Sequence, residues 1–193
     1  MLQSSPTPPR DAPAGIARYS ELSRTLHWIT LLVIFSILPL GWVMVHMAKD
    51  APNRDIFFMV HKSFGLLALA LIITRLVWRA IHKPPHLPPQ VEKWEAGLAH
   101  ATHFFLYAIF IIMPVSGYVL SSAGAHPPSF FGLPLPQMAK NKDVSEIANT
   151  VHMIGQYFVY LFLAAHILGV VWHVAYRKDG YLDRMLPEQV NAE

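Results

Sequence analysis

The sequence predicts an all-α protein, an integral membrane four-helix bundle, on three observations. Of 193 residues, 53% are hydrophobic and only 14% charged, where a soluble domain is about one-quarter charged; the mean hydropathy is +0.35. The apolar content comes in blocks. No Asp, Glu, Lys or Arg occurs between Arg24 and Lys49, from Ala96 to Ala139, or from Ile147 to Tyr176, and each run exceeds the roughly 20 residues a spanning helix needs. Four of the histidines, His27, His61, His152 and His166, lie in or at the edge of apolar runs, where an ionisable side chain is costly and usually functional.

The elements follow in order. Met1 to Ala17 carries Pro6, Pro8, Pro9 and Pro13 among Ser, Thr and Gly, which predicts a disordered tail over 1–17. It has no apolar h-region, so a signal peptide is not expected. The first helix occupies the run after Arg24. The second, Ile56 to Trp78, is interrupted by Lys62 and Arg75. These stand about 20 Å apart along a helix, so each can snorkel to a different interface or serve a buried anionic group. From His82 to Gln90, Pro84, Pro85, Pro88 and Pro89 predict a stiff turn. The third helix is expected to end near Ser122, because Pro127, Pro128, Pro134 and Pro136 follow with Gly124 and Gly132; the rest is an external loop. The fourth helix is the last charge-free run. One domain spans 18–187, with a short C-terminal tail over 188–193, and the chain shows no internal repeat.

Four crossings place both termini and the middle connection on one side. That side holds Arg10, Arg18, Arg24, Arg75, Arg79, Lys83, Lys93, Arg177, Lys178 and Arg184; the other holds Lys49, Arg54, Lys62, Lys140 and Lys142. The excess of cations puts the termini in the cytoplasm, as expected of a multi-pass protein of the bacterial inner membrane. The net charge of +3 thus reflects topology, and no nucleic-acid partner is expected.

His27 then lies near the cytoplasmic start of the first helix, and His61 and His152 near the external starts of the second and fourth. His166 is deeper in the fourth. The step from His152 to His166 is about 21 Å of rise and roughly 40° short of four full turns, so both rings project from nearly one face. One helix can present an axial ligand to each of two stacked metal centres, with His61 completing the outer one and His27 the inner one. Haem suits these centres better than zinc, which two imidazoles leave short of ligands; bis-histidine ligation of a porphyrin needs nothing more at the iron. The absence of cysteine removes covalent c-type haem and iron–sulfur clusters. Gly65, Gly155 and Gly169 fall three or four residues after His61, His152 and His166, where a flat macrocycle needs close approach to the backbone. Small residues at such spacings are also ordinary helix-packing devices in membranes.

The strings Tyr19-Ser20, Leu26-His27-Trp28, Val60-His61-Lys62 with Gly65, Gly97-Leu98-Ala99-His100 followed by His103, Val151-His152, Ala165-His166 and Arg184-Met185-Leu186-Pro187 carry a resemblance. From about Arg18 to Pro187 the chain resembles the bacterial cytochrome b561 family, in the wider group that includes the membrane cytochrome b subunits of nickel-iron hydrogenases and formate dehydrogenases. The resemblance implies a four-helix bundle with two haems b stacked across the bilayer, exchanging electrons with quinone. It implies His27 and His166 on one haem iron and His61 and His152 on the other.

Other residues compete for these roles. His173 is closer in depth to His27 than His166 is, but it stands about 31 Å along the helix from His152, a long gap between two haems. His166 is preferred mostly on the resemblance. His100 and His103 read equally as headgroup-level polar groups or as neighbours of the inner haem or a quinone. Arg75, on the His61 face at the depth of the inner centre, is expected to pair with a haem propionate. Lys62 stays open between such pairing and snorkelling.

Two functional classes remain. The first is an oxidoreductase moving electrons between the haems and quinone; the resemblance implies that superoxide can serve as an external donor, as it does for members of the family. The loop from His126 to Pro136, with Lys140 and Lys142 after it, reads either as a cap with a positive entrance or as an inert cover. The second class is a membrane anchor relaying electrons for a separate dehydrogenase, or a non-redox bundle binding a metal ion. With no nucleotide or flavin motif, hydride chemistry on an organic substrate is not expected.

Overall fold

The computed structural model describes residues 17–187; nearly all of the expected N-terminal tail and the whole C-terminal tail lie outside them. Four helices, α1 (Glu21–His46), α2 (Arg54–Ile81), α3 (Lys93–Ala123) and α4 (Lys142–Val171), are each long and apolar enough to cross a membrane. Three of the four starts carry side-chain caps. Ser20 accepts from Ser23 N on α1, and Asn141 accepts from Val144 N on α4. On α3, Glu92 and Glu95 form a reciprocal capping box. Lys62 and Arg75 sit inside one unbroken α2, and α3 ends one residue past Ser122.

The distribution of side chains is that of a protein with lipid outside. Leu32, Phe104, Leu161 and Leu168 are exposed, while Thr30, Ser63, Thr102, Ser116 and Ser122 are buried. Interior hydroxyls are satisfied locally: Thr30 donates to Leu26 O at 2.6 Å and Ser63 to Met59 O at 2.7 Å, the solution open to Ser and Thr where water is absent. Each helix packs against its neighbour in sequence. The central core joins Val33, Ile34 and Ala68 with Leu71, Phe110 and Leu163.

The α3–α4 loop holds more than the sequence suggested. It contains a short antiparallel hairpin, β1 (Ser129–Phe130) and β2 (Leu133–Pro134), turned by Phe131 and Gly132 at φ of 46° and 87°. The loop is pinned from both sides. Phe131 N donates to the buried Ser63 Oγ on α2 at 2.8 Å, Lys62 Nζ donates to Pro127 O at 2.9 Å, and Met138 N donates to the buried Ser122 Oγ on α3 at 2.7 Å.

At the opposite end, where the termini lie, α4 widens into a π-helical turn, Trp172–Arg177. Trp172 Nε1 donates to Glu95 at 2.8 Å, and Arg177 pairs with the same carboxylate at 3.4 Å. Arg184 is buried, donates to the carbonyls of Ala17, Pro85 and His86, and lies between Tyr19 and Tyr181. Burial pushes the Tyr181 phenol up from its ordinary value. One guanidinium thus ties the first described residues, the middle connection and the chain's end together.

Candidate functional site

Two cavities lie within the bundle, one at each level. The one nearer the termini is lined by His27, Arg75, His103, Tyr107 and His166. The one nearer the hairpin is lined by His61, Gly65, Met113, Pro114 and His152. Both are partly open and mainly apolar, with a few convergent polar groups, as small-molecule sites are. Ile34 and Phe110 border both cavities, so a single layer of side chains separates them.

The imidazoles meet across these spaces in pairs. Ring centres of His27 and His166 are 6.2 Å apart, with planes at 64°; those of His61 and His152 are also 6.2 Å apart, with planes at 81°. Two imidazoles on opposite sides of one metal require about 6.2 Å, given nitrogen–metal bonds of roughly 2.0 Å and ring centres about 1.1 Å behind each nitrogen. The donor set therefore fits a six-coordinate porphyrin iron at each level. Among the described residues no group of three or more His, Cys, Asp or Glu side chains is arranged to hold a metal ion, so a protein-only tetrahedral site has no support.

The second ring nitrogens show how each histidine is set. His152 Nδ1 lies 2.9 Å from Met113 O and 3.2 Å from Ser116 Oγ. A carbonyl only accepts, so Nδ1 carries the proton and Nε2 is left as the ligating nitrogen. His61 Nδ1 is buried and has no hydrogen-bond partner among the described residues. His27 Nδ1 lies 3.1 Å from Arg75 Nη2; a guanidinium only donates, so here Nδ1 is the acceptor. Arg75 also lies over the Tyr107 ring at 5.7 Å and has no carboxylate partner among the described residues.

The other residues singled out by the sequence sit around these pairs. His173 lines neither cavity: its Nδ1 is 2.7 Å from Asp179 and its ring stacks on Tyr181 at 4.3 Å, while His166 is the α4 ring that faces His27. His100 is exposed. His103 faces the cavity, with its ring centre 5.2 Å from that of His166 and Nδ1 2.7 Å from Ala99 O; that ring separation is too short for the pair to share an iron. Lys62 is tied to the loop carbonyl of Pro127. Of the three glycines, Gly65 borders open space in the hairpin-side cavity. Gly155 instead admits Met113 Sδ from α3, and Gly169 lines neither cavity.

Two glycines that the sequence reading passed over do touch the site. A Cβ on Gly41 would lie 3.1 Å from His61 Cε1, and one on Gly117 would lie 3.0 Å from His152 Cε1. The signal was present in the spacing. Gly41 is fourteen residues after His27 and Gly117 fourteen after His103, as Arg75 is after His61 and His166 after His152. Every helix thus carries one residue of each level on one face.

Residues 18–188 match the family described as prokaryotic cytochrome b561. The chain belongs to that family. Two relatives illustrate the reach of the likeness. A protein of Yersinia pestis named probable superoxide oxidase CybB is 27% identical over 175 residues, covering 89% of this chain and 97% of that protein. Cytochrome b561 homolog 2 of Escherichia coli (strain K12) is 28% identical over 177 residues, covering 88% of this chain and 91% of that protein. Membership of the cytochrome b561 family makes this a bacterial membrane b-type cytochrome of electron transport, and the family implies b-type haem binding.

Proposed function

We propose that this cytochrome b561 protein binds two haems b per chain and passes electrons from a one-electron donor, superoxide, to membrane quinone. The observation that carries the reading is the recurrence of one geometry: two histidine pairs, each with ring centres 6.2 Å apart, about 21 Å apart along α4. When bound, the haems supply one-electron ferric/ferrous chemistry.

The chain's own residues do the rest. Two imidazoles at each level leave no open coordination position, so donor and acceptor react by outer-sphere contact rather than at the metal. Met113 O holds His152 in the ligating tautomer. The Arg75 guanidinium, half-buried beside His27 with no carboxylate partner among the described residues, would take an anionic propionate and so release His27 Nδ1. The shared wall of Ile34 and Phe110 keeps the two levels close and dry. With the termini cytoplasmic, the hairpin end faces outward. There the pinned loop covers the outer level, and the cations of that end, Lys62, Lys140 and Lys142 with Lys49 and Arg54, exceed Asp50, Asp55, Asp143 and Glu146 by one charge; Glu146 pairs with Lys142 at 3.5 Å. Two superoxide ions, each losing one electron to become dioxygen, supply the two electrons that turn one quinone into quinol, and the two protons it takes up come from water.

A pyridine haemochrome assay of the purified protein is expected to give two haems b per chain; one or none overturns the reading. Two haems that a quinol reduces but superoxide does not would leave a relay for a separate dehydrogenase.

A further inference from the structure

We propose that Gly41 and Gly117 are positioning residues for the two imidazoles of the hairpin-side site, walls on α1 and α3 that hold the planes of His61 and His152 near perpendicular. The inference rests on the proposed ligation of haem iron by these histidines.

The geometry is specific to this level. The His61 and His152 planes stand at 81°. Each ring presents its Cε1 edge to a glycine of another helix, His61 to Gly41 and His152 to Gly117. Carbon atoms in ordinary contact sit about 3.5–4.0 Å apart, so the 3.1 Å and 3.0 Å left to an added Cβ force each ring to turn or slide by a few tenths of an ångström. The two rings differ in what else restrains them. His152 is held by Met113 O and Ser116 Oγ, so a methyl on Gly117 pushes against two existing hydrogen bonds. His61 Nδ1 has no partner among the described residues. On His61 the Gly41 wall acts beside only a weak approach to the Ile37 backbone of α1, so a methyl there meets less resistance than one on Gly117.

The angle between axial imidazole planes is legible in low-temperature electron paramagnetic resonance. Low-spin ferric haem with perpendicular imidazoles gives a strongly anisotropic signal, and nearly parallel ones give a rhombic signal. The wild-type hairpin-side haem, identified by its absence in His61→Ala, is expected to give the anisotropic form. Gly41→Ala and Gly117→Ala are each expected to keep two haems per chain and to shift that signal alone, with the larger shift in Gly41→Ala. Gly97→Ala, whose added Cβ meets nothing within 4 Å, is expected to leave both signals in place. Two haems with unchanged signals in both variants overturn the proposal and leave the ligation intact. Failure of both variants to retain the hairpin-side haem, with Gly97→Ala normal, also overturns it, because so small a displacement should turn a ring and not expel a porphyrin. A wild-type protein without bis-histidine haem instead defeats the underlying reading.

Discussion

At the residue scale, the roles of the histidines are separated by what their second nitrogens touch. His173 has the depth of an inner ligand, yet Asp179 and Tyr181 engage it outside the cavity. Replacing His61 or His152 by Ala is therefore expected to remove one haem, and replacing His27 or His166 the other, while His173→Ala retains both; haemochrome content of the five variants checks this. Arg75 gives a second expectation. A cation beside the terminal-side haem favours the ferrous form, which carries one positive charge fewer. Arg75→Gln should lower that haem's midpoint potential by on the order of 50–100 mV, as about 1–2 kcal/mol of Coulomb energy at an effective dielectric near 20 requires. Arg75→Lys should recover much of it. Redox titration reads both, and an unchanged potential in Arg75→Gln would remove Arg75 from the site.

At the element scale, α1, α3 and α4 were legible because a span must be long and nearly free of charge, and α2 because Lys62 and Arg75 stand far enough apart for each to reach a different interface. The 14-residue step on α4 was legible for a related reason: histidine is conspicuous in an apolar run. The same step on α1 and α3 ends at Gly41 and Gly117, which signify nothing until the ring opposite is known. Gly155 was open between two readings, and it takes up the packing one, with Met113 of α3 filling the space beside it. The hairpin was illegible for want of length, with two residues per strand and a turn that places Phe131, a non-glycine, at φ of 46°. Its order comes from helices distant in sequence, through Ser63 and Ser122. Removing either hydroxyl orphans a loop amide, at a cost of roughly 1–3 kcal/mol. Ser63→Ala and Ser122→Ala are accordingly expected to speed hydrogen exchange of the loop amides by tenfold or more while both haems remain. Exchange as slow as in the wild type would show that the loop is held by its own packing.

At the scale of the whole molecule, the uneven placement of charge and the stacking of two sites combine into one expectation about kinetics. The hairpin end carries Lys49, Arg54, Lys62, Lys140 and Lys142 against Asp50, Asp55, Asp143 and Glu146, a small positive excess around the loop that covers the hairpin-side cavity. A small anion approaching that end gains from their summed field before contact, and the gain falls as salt shortens the screening length to about 10 Å at 0.1 M. Reduction of the haems by superoxide in stopped-flow mixing should therefore be fast at low salt and slow as ionic strength rises. Lys140→Glu should flatten that dependence by reversing one of the charges, without altering haem content or potentials. Reduction by a quinol, which is neutral and arrives through the bilayer, should show no such slope. A superoxide rate indifferent to salt and to Lys140→Glu would place the donor's entry elsewhere, and the loop would then be a cover rather than an entrance.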